Sequence, residues 1–497
     1  MKDLKPLEIY APRQGISQSP HTGYGDCRGL DIFSVPGVAK LNNILKNAST
    51  TAVTATVKWI VRDPVTVANF YAVDSAGDVY LSTDSGATFA DLATQPTAGG
   101  AGQGLAIWKD YLFCPRATAM DLYGPLSGTP AWRNSWAGLT MTTDSLWHPM
   151  IVSKLDGELY GGEGRYIFNL SEVAGQTFAW DNTATYNTGS VAQALDLPAN
   201  YRVKCLTEQG NNLMIGTWQG TNIYDLKIAD IFPWDGTSTT YGQPIHLNEN
   251  GVNAMINIGG YLYIQAGIDG KIYKSNGVQA NPIAQIPLSI ADISNGKYIE
   301  VYPGALINFK GRPFFGVSSA DVADGMGIYS LMETSKGTIL NHEHSVSTLT
   351  DGGTNPLIIG ALLGISRDEL LVGWRDNTTY GIDKTTKTSY AYGTDYSGYF
   401  DTALYFVGTE LNPRTFTELN FFLAKELATT EGIKISYRVN LTDSFTEIDT
   451  YTTTEIGASQ SSHEDEAAIP SCQMLQLRVA LKGTTTTTPQ FKLLTLR

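Results

Sequence analysis

The chain is poor in charge. Lys, Arg, Asp and Glu make up 16% of its 497 residues, well below the usual quarter, which excludes a coiled coil or a long, salt-bridge-laced helix. Cysteine is scarce too: Cys27, Cys114, Cys205 and Cys472 are the only ones. No two stand at C-x-x-C spacing, so neither a zinc site nor a thioredoxin-like motif is expected, and four in so long a chain form no disulfide framework. Free, partly buried thiols made in a reducing cytosol are the expectation. Long apolar runs are missing: the most apolar window, Pro356 to Ile365, is about half a membrane span. Met1-Lys2-Asp3-Leu4-Lys5-Pro6 has no signal-peptide core, and insertion of the chain itself into a membrane is not expected. Positive charge is in deficit, with 34 Lys and Arg against 48 Asp and Glu and a formal net charge of -14. Such a chain repels bare nucleic acid and anionic membranes. The charge serves either plain solubility or a conduit along which DNA slides without sticking.

What is present is the composition of an all-β protein. Apolar residues reach 42%, aromatics 10%, and there are 50 glycines. The length calls for two or three domains. An apolar–aromatic step recurs at Val79-Tyr80, Leu122-Tyr123, Ile167-Phe168, Ile223-Tyr224, Ile272-Tyr273 and Ile328-Tyr329, with a weaker copy at Thr379-Tyr380. Successive aromatics are 43, 45, 56, 49, 56 and 51 residues apart. Just upstream of most copies stands a turn and an apolar strand that often ends in glycine, as in Asp156–Gly161, Asn211–Gly216, Lys310–Gly316 and Arg367–Gly373. Each unit reads strand, tight turn, strand, turn, strand. A period near fifty of β units predicts a propeller, whose blades bury their faces only by closing a ring. Seven blades fit the spacing, over residues 49–399.

One local motif is sharper. Ser82-Thr83-Asp84-Ser85-Gly86-Ala87-Thr88-Phe89 matches S-x-D-x-G-x-T-[WF] and resembles the Asp-box hairpin of sialidase-type and related propellers. Ser82 and Asp84 are expected to accept turn amides, Gly86 to permit the bend, Thr88 to close it and Phe89 to pack beneath. The motif is structural and carries no activity.

The ends differ from the middle. Residues 1–48 hold Pro6, Pro12, Pro20 and Pro36 with little periodicity and read as an extended arm on something larger. Val38 to Leu45 offers a strand to close the ring. Two pieces of this arm, Gly15-Ile16-Ser17-Gln18-Ser19-Pro20 and Gly29-Leu30-Asp31-Ile32-Phe33-Ser34-Val35-Pro36-Gly37-Val38-Ala39-Lys40-Leu41, resemble the N-terminal signature of short-tailed phage nozzle proteins, the tail tubular protein B family. Val35 stands where that family has a basic residue, and the chain is shorter than the family's usual members. The resemblance implies a propeller-containing ring at the distal end of a phage tail, with Gly15, Ile16, Ser17, Gln18, Pro20, Pro36 and Gly37 in an assembly arm. It further implies a homo-oligomer, a hexameric ring around the DNA channel, adjoining tail adaptor and fibre proteins. Residues 400–497 carry alternating segments such as Lys434–Val439 and Gln476–Leu481 and predict a small antiparallel β-sandwich of jelly-roll type. Glu464-Asp465-Glu466 reads as a solvated loop.

Catalytic patterns were sought and none carries an assignment. A sialidase needs three converging arginines; Arg62, Arg165, Arg202, Arg312 and Arg375 sit in no such pattern, and fold analogy supplies no site. His342-Glu343-His344 is the only histidine pair, too few ligands for a metal, and reads as an exposed loop. Neither G-x-x-x-x-G-K-[ST] nor G-x-S-x-G occurs. Trp108, Trp132, Trp136, Trp147, Trp180, Trp218, Trp234 and Trp374 either stack on sugars or pack between blades, the second being the expectation. The reading is thus a non-enzymatic structural virion protein, with no cofactor and no metal, made in the host cytoplasm and located in the tail. DNA passes it without specific binding. The alternative is a receptor- or glycan-binding appendage, or a capsid decoration protein, built on a propeller.

Overall fold

The computed structural model describes residues 7–10, 24–35, 37–50, 52–92, 104–116, 119–136, 139, 141, 147–172, 188–219, 229–286, 299–319, 326–334, 337–347, 357–386, 389–390, 396–409, 412–457 and 459–497. The chain divides into two compact units. One comprises 46–328 and 346–384; the other comprises 1–45, 329–345 and 385–497. Both are built from strands, and no helix among the described residues is long and apolar enough to cross a membrane.

The first unit is a seven-bladed β-propeller. Blade 1 is Val57–Arg62, Phe70–Asp74, Val79–Ser82 and Ala90–Asp91, and blade 2 is Ala106–Trp108, Tyr111–Pro115, Met120–Gly124 and Ala131–Arg133. Blade 3 is Met150–Val152, Leu159–Glu163, Tyr166–Glu172 and Thr188–Asp196, and blade 4 is Tyr201–Gln209, Asn212–Gln219, Ala229–Trp234 and Ile245–Leu247. Blade 5 is Val252–Ile258, Tyr261–Ala266, Lys271–Ser275 and Ala280–Gln285. In blade 6 the inner strands are Leu306–Phe309 and Arg312–Ser319, with Ile299–Glu300 also on Arg312–Ser319. The next strand, Gly327–Thr334, begins in the propeller unit and ends in the other. Blade 7 is Leu357–Gly364, Leu370–Asp376 and Thr379–Thr385, completed by Leu45–Asn47. Each innermost strand lies beside the next, and that of blade 7 beside that of blade 1, so the ring closes. The closing strand falls at the end of the segment expected for it, Val38–Leu45, and runs two residues beyond.

Burial explains the repeat. The second strands Phe70–Asp74, Tyr111–Pro115 and Leu159–Glu163 are buried along their whole length, because a neighbouring blade covers each face. Apolar clusters sit between successive blades. Tyr71, Val73, Leu112 and Cys114 join blades 1 and 2. Phe113, Leu122, Leu159 and Phe168 join blades 2 and 3. Val57, Tyr80, Leu371 and Ile382 join blade 7 to blade 1. The apolar–aromatic steps lie on the third strands of blades 1, 2, 3, 5 and 7 and on Gly327–Thr334. Ile223-Tyr224 lies outside the described residues, and the third strand of blade 4 is Ala229–Trp234.

The second unit is a two-sheet β-sandwich, and its composition departs from the expected division at 1–48, 49–399 and 400–497. One sheet orders Leu7–Tyr10, Phe491–Leu496, Arg414–Leu423 and Ser462–Cys472. In the other, Tyr24–Arg28 pairs with Gly398–Thr402, which is followed by Met474–Lys482, Gly432–Arg438 and Thr446–Thr452. Gly337–His344 pairs in parallel with Tyr24–Arg28, so the sandwich is not wholly antiparallel. Cys27, Leu30, Ile32, Ala39 and Leu41 are buried in one core with Ile339, Phe400, Phe421, Leu477 and Phe491. Residues 24–41 are therefore part of the sandwich and not an arm outside it. The physical reason is that their apolar positions, spaced irregularly by turns at Gly29 and Gly37, each find a place in a core made by distant strands.

Two local expectations are corrected. His342-Glu343-His344 is not an exposed loop: it lies on the strand Gly337–His344, with all three residues buried. Glu343 accepts from Asn42 Nδ2 at 2.8 Å and from Ser330 Oγ, and Tyr329 packs edge-on against His342. Glu464-Asp465-Glu466 is not a loop but lies on Ser462–Cys472, the outermost strand of its sheet. Glu464 and Glu466 point to solvent while Asp465 accepts from the Tyr451 hydroxyl at 3.1 Å. Charge on an unpaired edge discourages further strand pairing.

Candidate functional site at the propeller axis

The innermost strands share an irregularity. In blade 1 the pairing with the second strand skips between Val57 and Trp59, so Lys58 is an extra residue, and the same happens at Lys204, Asn253 and Gly360 in blades 4, 5 and 7. A β-bulge of this kind re-aims a side chain. The residue before each bulge is β-branched: Val57, Val203, Val252 and Ile359. Each packs where a glycine of the preceding blade's second strand leaves room. A Cβ on Gly162 would stand 2.4 Å from Val203, one on Gly216 2.8 Å from Val252, one on Gly316 2.1 Å from Ile359, and one on Gly373 2.6 Å from Val57. The glycines that close the sequence repeat are thus the sockets that seat the bulges.

The bulged side chains meet at the axis. Lys204 Nζ donates to Asn253 Oδ1 at 2.9 Å and pairs with the Glu300 carboxylate. Asn253 Nδ2 donates in turn to Gln265 Oε1 at 2.8 Å and to the Gly267 carbonyl at 2.7 Å. Trp147, at the entry to blade 3, offers its ring to two cations: Lys58 Nζ lies 4.4 Å from the ring centre and Lys204 Nζ 5.6 Å. Tyr302 meets the same ring edge-on at 5.3 Å. Blades 1, 3, 4, 5 and 6 therefore contribute to one cluster, and only the centre of the ring is common to all five. Burial pushes the Lys58 ammonium below its ordinary value; Glu300 pulls it back and Lys204 pushes further. Beside Trp147, His148 is fully buried, its Nδ1 3.1 Å from the Gly162 carbonyl. Burial drops its value to about 4, against the pull of two backbone groups. In this pocketless, tightly packed centre the chemistry on offer is charge recognition.

The expected motif residues lie elsewhere. At the Asp-box, Asp84 accepts from Ser82 Oγ at 2.8 Å, from Thr88 N at 2.9 Å and from the Thr88 hydroxyl, while Gly86 N donates to Ser82 Oγ at 2.9 Å. Gly86 bends at φ +76° and Phe89 is buried. Partial burial pushes the Asp84 carboxyl up, but the donors outweigh it and hold it at about 2. The hairpin joins the outer strands of blade 1, and Lys384 of blade 7 donates to the Ser85 carbonyl at 2.8 Å. Gly15, Ile16, Ser17, Gln18, Pro20 and Pro36 lie outside the described residues, as does Trp180. Gly37 turns at φ +75°. The five arginines are not brought together: Arg62 bonds the Val67 and Ile365 carbonyls, Arg165 pairs with Asp196, Arg202 bonds the Ala199 carbonyl, Arg312 lies over Phe314 and Arg375 bonds the Asn377 carbonyl. Trp108, Trp136, Trp147, Trp218, Trp234 and Trp374 are buried, and Trp132 half-buried. The four cysteines are free and buried. Among the described residues no group of three His, Cys, Asp or Glu is placed to hold a metal.

Sequence reading missed the axial cluster. Its signal was the pattern Val57-Lys58, Val203-Lys204, Val252-Asn253 and Ile359-Gly360, one β-branched residue before the bulge at each blade entry.

No family model matches the chain and no curated protein matches it. Solved structures do. They include YCF48 bound to a D1 peptide, with TM-score 0.45, 10% identity, and coverage of 73% of this chain and 99% of that one. Others are the RRP9 WD40 repeats, with TM-score 0.44, 12% identity, and 70% and 100% coverage, and the Cps50 (Swd1) β-propeller domain of Myceliophteria thermophila, with TM-score 0.42, 9% identity, and 68% and 99% coverage. All are propellers. The propeller assignment here stands on the chain's own seven blades.

Proposed function

We propose that this chain is a structural virion protein of a tailed phage, part of a nozzle-like ring around the DNA channel at the distal tail. The observation that carries the reading is the stretch Gly29–Leu41, whose order and spacing after Gly15–Pro20 resemble the nozzle family. Its place in the fold supports the reading: Leu30, Ile32, Ala39 and Leu41 are buried in the sandwich core, and the strand that completes the propeller follows directly at Leu45–Asn47. One short N-terminal stretch thus serves both units, as suits a protein under mechanical load. In this reading six copies form the ring and contact an adaptor above and fibre proteins beside. The propeller axis is filled by Trp147, Tyr302 and two lysines, so DNA runs through the lumen between copies and not through a single propeller. The net charge of -14 lets DNA pass that lumen without adhering.

The test is antibody labelling of purified phage particles with a serum against residues 400–497, viewed by electron microscopy, alongside the native mass of the recombinant chain. Label at the distal tail tip and a six-copy mass are the expected results. Label on the capsid or on side appendages overturns the reading in favour of a decoration or receptor-binding role.

A further inference from the structure

The axial cluster holds two ammonium groups against one carboxylate. Lys204 is fully occupied: it is 3% exposed, pairs with Glu300, bonds Asn253 and lies against Trp147. Lys58 is not. It is half-buried, and among the described residues its only close partner is the face of Trp147. Glu300 acts on it from beyond ion-pair distance, and Lys204 acts against it. A cation over an aromatic ring keeps its N–H donors unsatisfied, and a sequestered ammonium without acceptors is costly to hold. The fold has nonetheless built this position: a bulge aims Lys58 inward, Val57 is seated in the Gly373 socket, and the blade 6 entry approaches so closely that a Cβ on Gly304 would stand 2.3 Å from the Lys58 carbonyl.

We propose that Lys58 is the anchor of an anion-binding site at the propeller axis, which takes one small oxyanion, a carboxylate or a phosphate, against the wall formed by Trp147. The charge sets the class. One uncompensated positive charge in a chain of net charge -14 suits a single small anion and excludes a polyanion such as DNA. An oxyanion, with several lone pairs on adjacent oxygens, satisfies more than one N–H of the same ammonium. The site does not depend on the chain being a virion component.

The test is calorimetric titration of the full chain with inorganic phosphate and, separately, with acetate, for wild type and Lys58→Met. Methionine keeps the length of the stem and removes the charge. Saturable binding of either anion to wild type, weakened about tenfold or more in the variant, is the expected result, and which anion binds more tightly identifies the source. A second readout is independent of the ligand. In anion-free buffer Lys58→Met should melt at the same temperature as wild type or higher, because it removes a charge the fold holds without an acceptor. Absence of saturable binding by both anions, binding that survives Lys58→Met, or a variant that melts lower or fails to fold each overturns the proposal; the last two assign the ammonium a structural role.

Discussion

The propeller and the sandwich solve the same problem, covering strands that are apolar on both sides, by opposite routes. In the propeller each blade is one run of chain, and the next blade covers it. Only the closing strand, Leu45–Asn47, comes from afar. The sandwich takes its strands from three separated pieces of chain, 1–45, 329–345 and 385–497. The difference teaches where information sits. A repeat writes its packing rule many times over at short range; a sandwich built from remote pieces writes each contact once.

The sharpest way to break this contrast is to make one cavity in each unit. Phe400 packs on Phe491 in the sandwich, and Phe113 sits between Trp108 and Trp136 in blade 2; all these contacts are buried. Phe400→Ala and Phe113→Ala should each cost about 3–5 kcal/mol. Hydrogen exchange separates them. Phe400→Ala should speed exchange in Tyr24–Arg28 as well as in the C-terminal strands, since all share one core, and Phe113→Ala should act first on blades 2 and 3. An effect of Phe400→Ala restricted to residues beyond 398 would return the N-terminal stretch to the role of a separate arm.

The same contrast accounts for what could be read in advance. The apolar–aromatic steps and the Asp-box were legible because alternation and turn chemistry are local properties. Blade number followed from spacing. The N-terminal stretch was misjudged because Leu30, Ile32, Ala39 and Leu41 have no periodicity of their own; their order comes from Phe400, Leu477 and Phe491, far along the chain. His342-Glu343-His344 read as exposed on composition alone. Its burial depends on Asn42 and Ser330 as hydrogen-bond partners, which no window of sequence reveals. The axial site escaped for a third reason: a bulge is a shift of pairing between two strands, and lysine after valine looks like ordinary alternation.

A second comparison sets the axis against the rim. His148, buried beside the axial Trp147, is held neutral with a value of about 4, below the ordinary 6.5. Between those values the unfolded chain binds the extra proton, so stability is full above about pH 6.5 and falls as pH drops toward 4. The loss should approach roughly 3 kcal/mol, read from urea unfolding across that range. His148→Asn retains a donor for the Gly162 carbonyl and has nothing to titrate, so its profile should be flatter. An unchanged slope would place the acid-sensitive group elsewhere.

Next in size is the socket. Gly373→Ala puts a methyl group 2.6 Å from Val57 Cγ1 and 3.2 Å from its carbonyl. Overpacking of this kind should cost about 1–3 kcal/mol, measured by thermal unfolding. If the glycine matters because it seats the bulge, Val57→Ala in the same chain should restore part of the loss, since the smaller side chain clears the added methyl. Losses that simply add would mean the two residues do not share one socket.

The smallest effect belongs to the rim. Asp84→Ala removes the acceptor for Ser82 and Thr88 but leaves Phe89 and its buried contacts in place. Asp84 is exposed, so water replaces much of what is lost, and the cost should be about 1 kcal/mol, like that of an exposed helix cap. Its pH signature has the carboxylate form. With a folded value of about 2 against the ordinary 3.8, its contribution is complete above about pH 4 and disappears as pH falls toward 2. Wild type and Asp84→Ala should therefore converge in stability below pH 3, a window distinct from that of His148. A difference that persists there would mean that the hairpin is held by the shape of its turn and not by the charge of its aspartate.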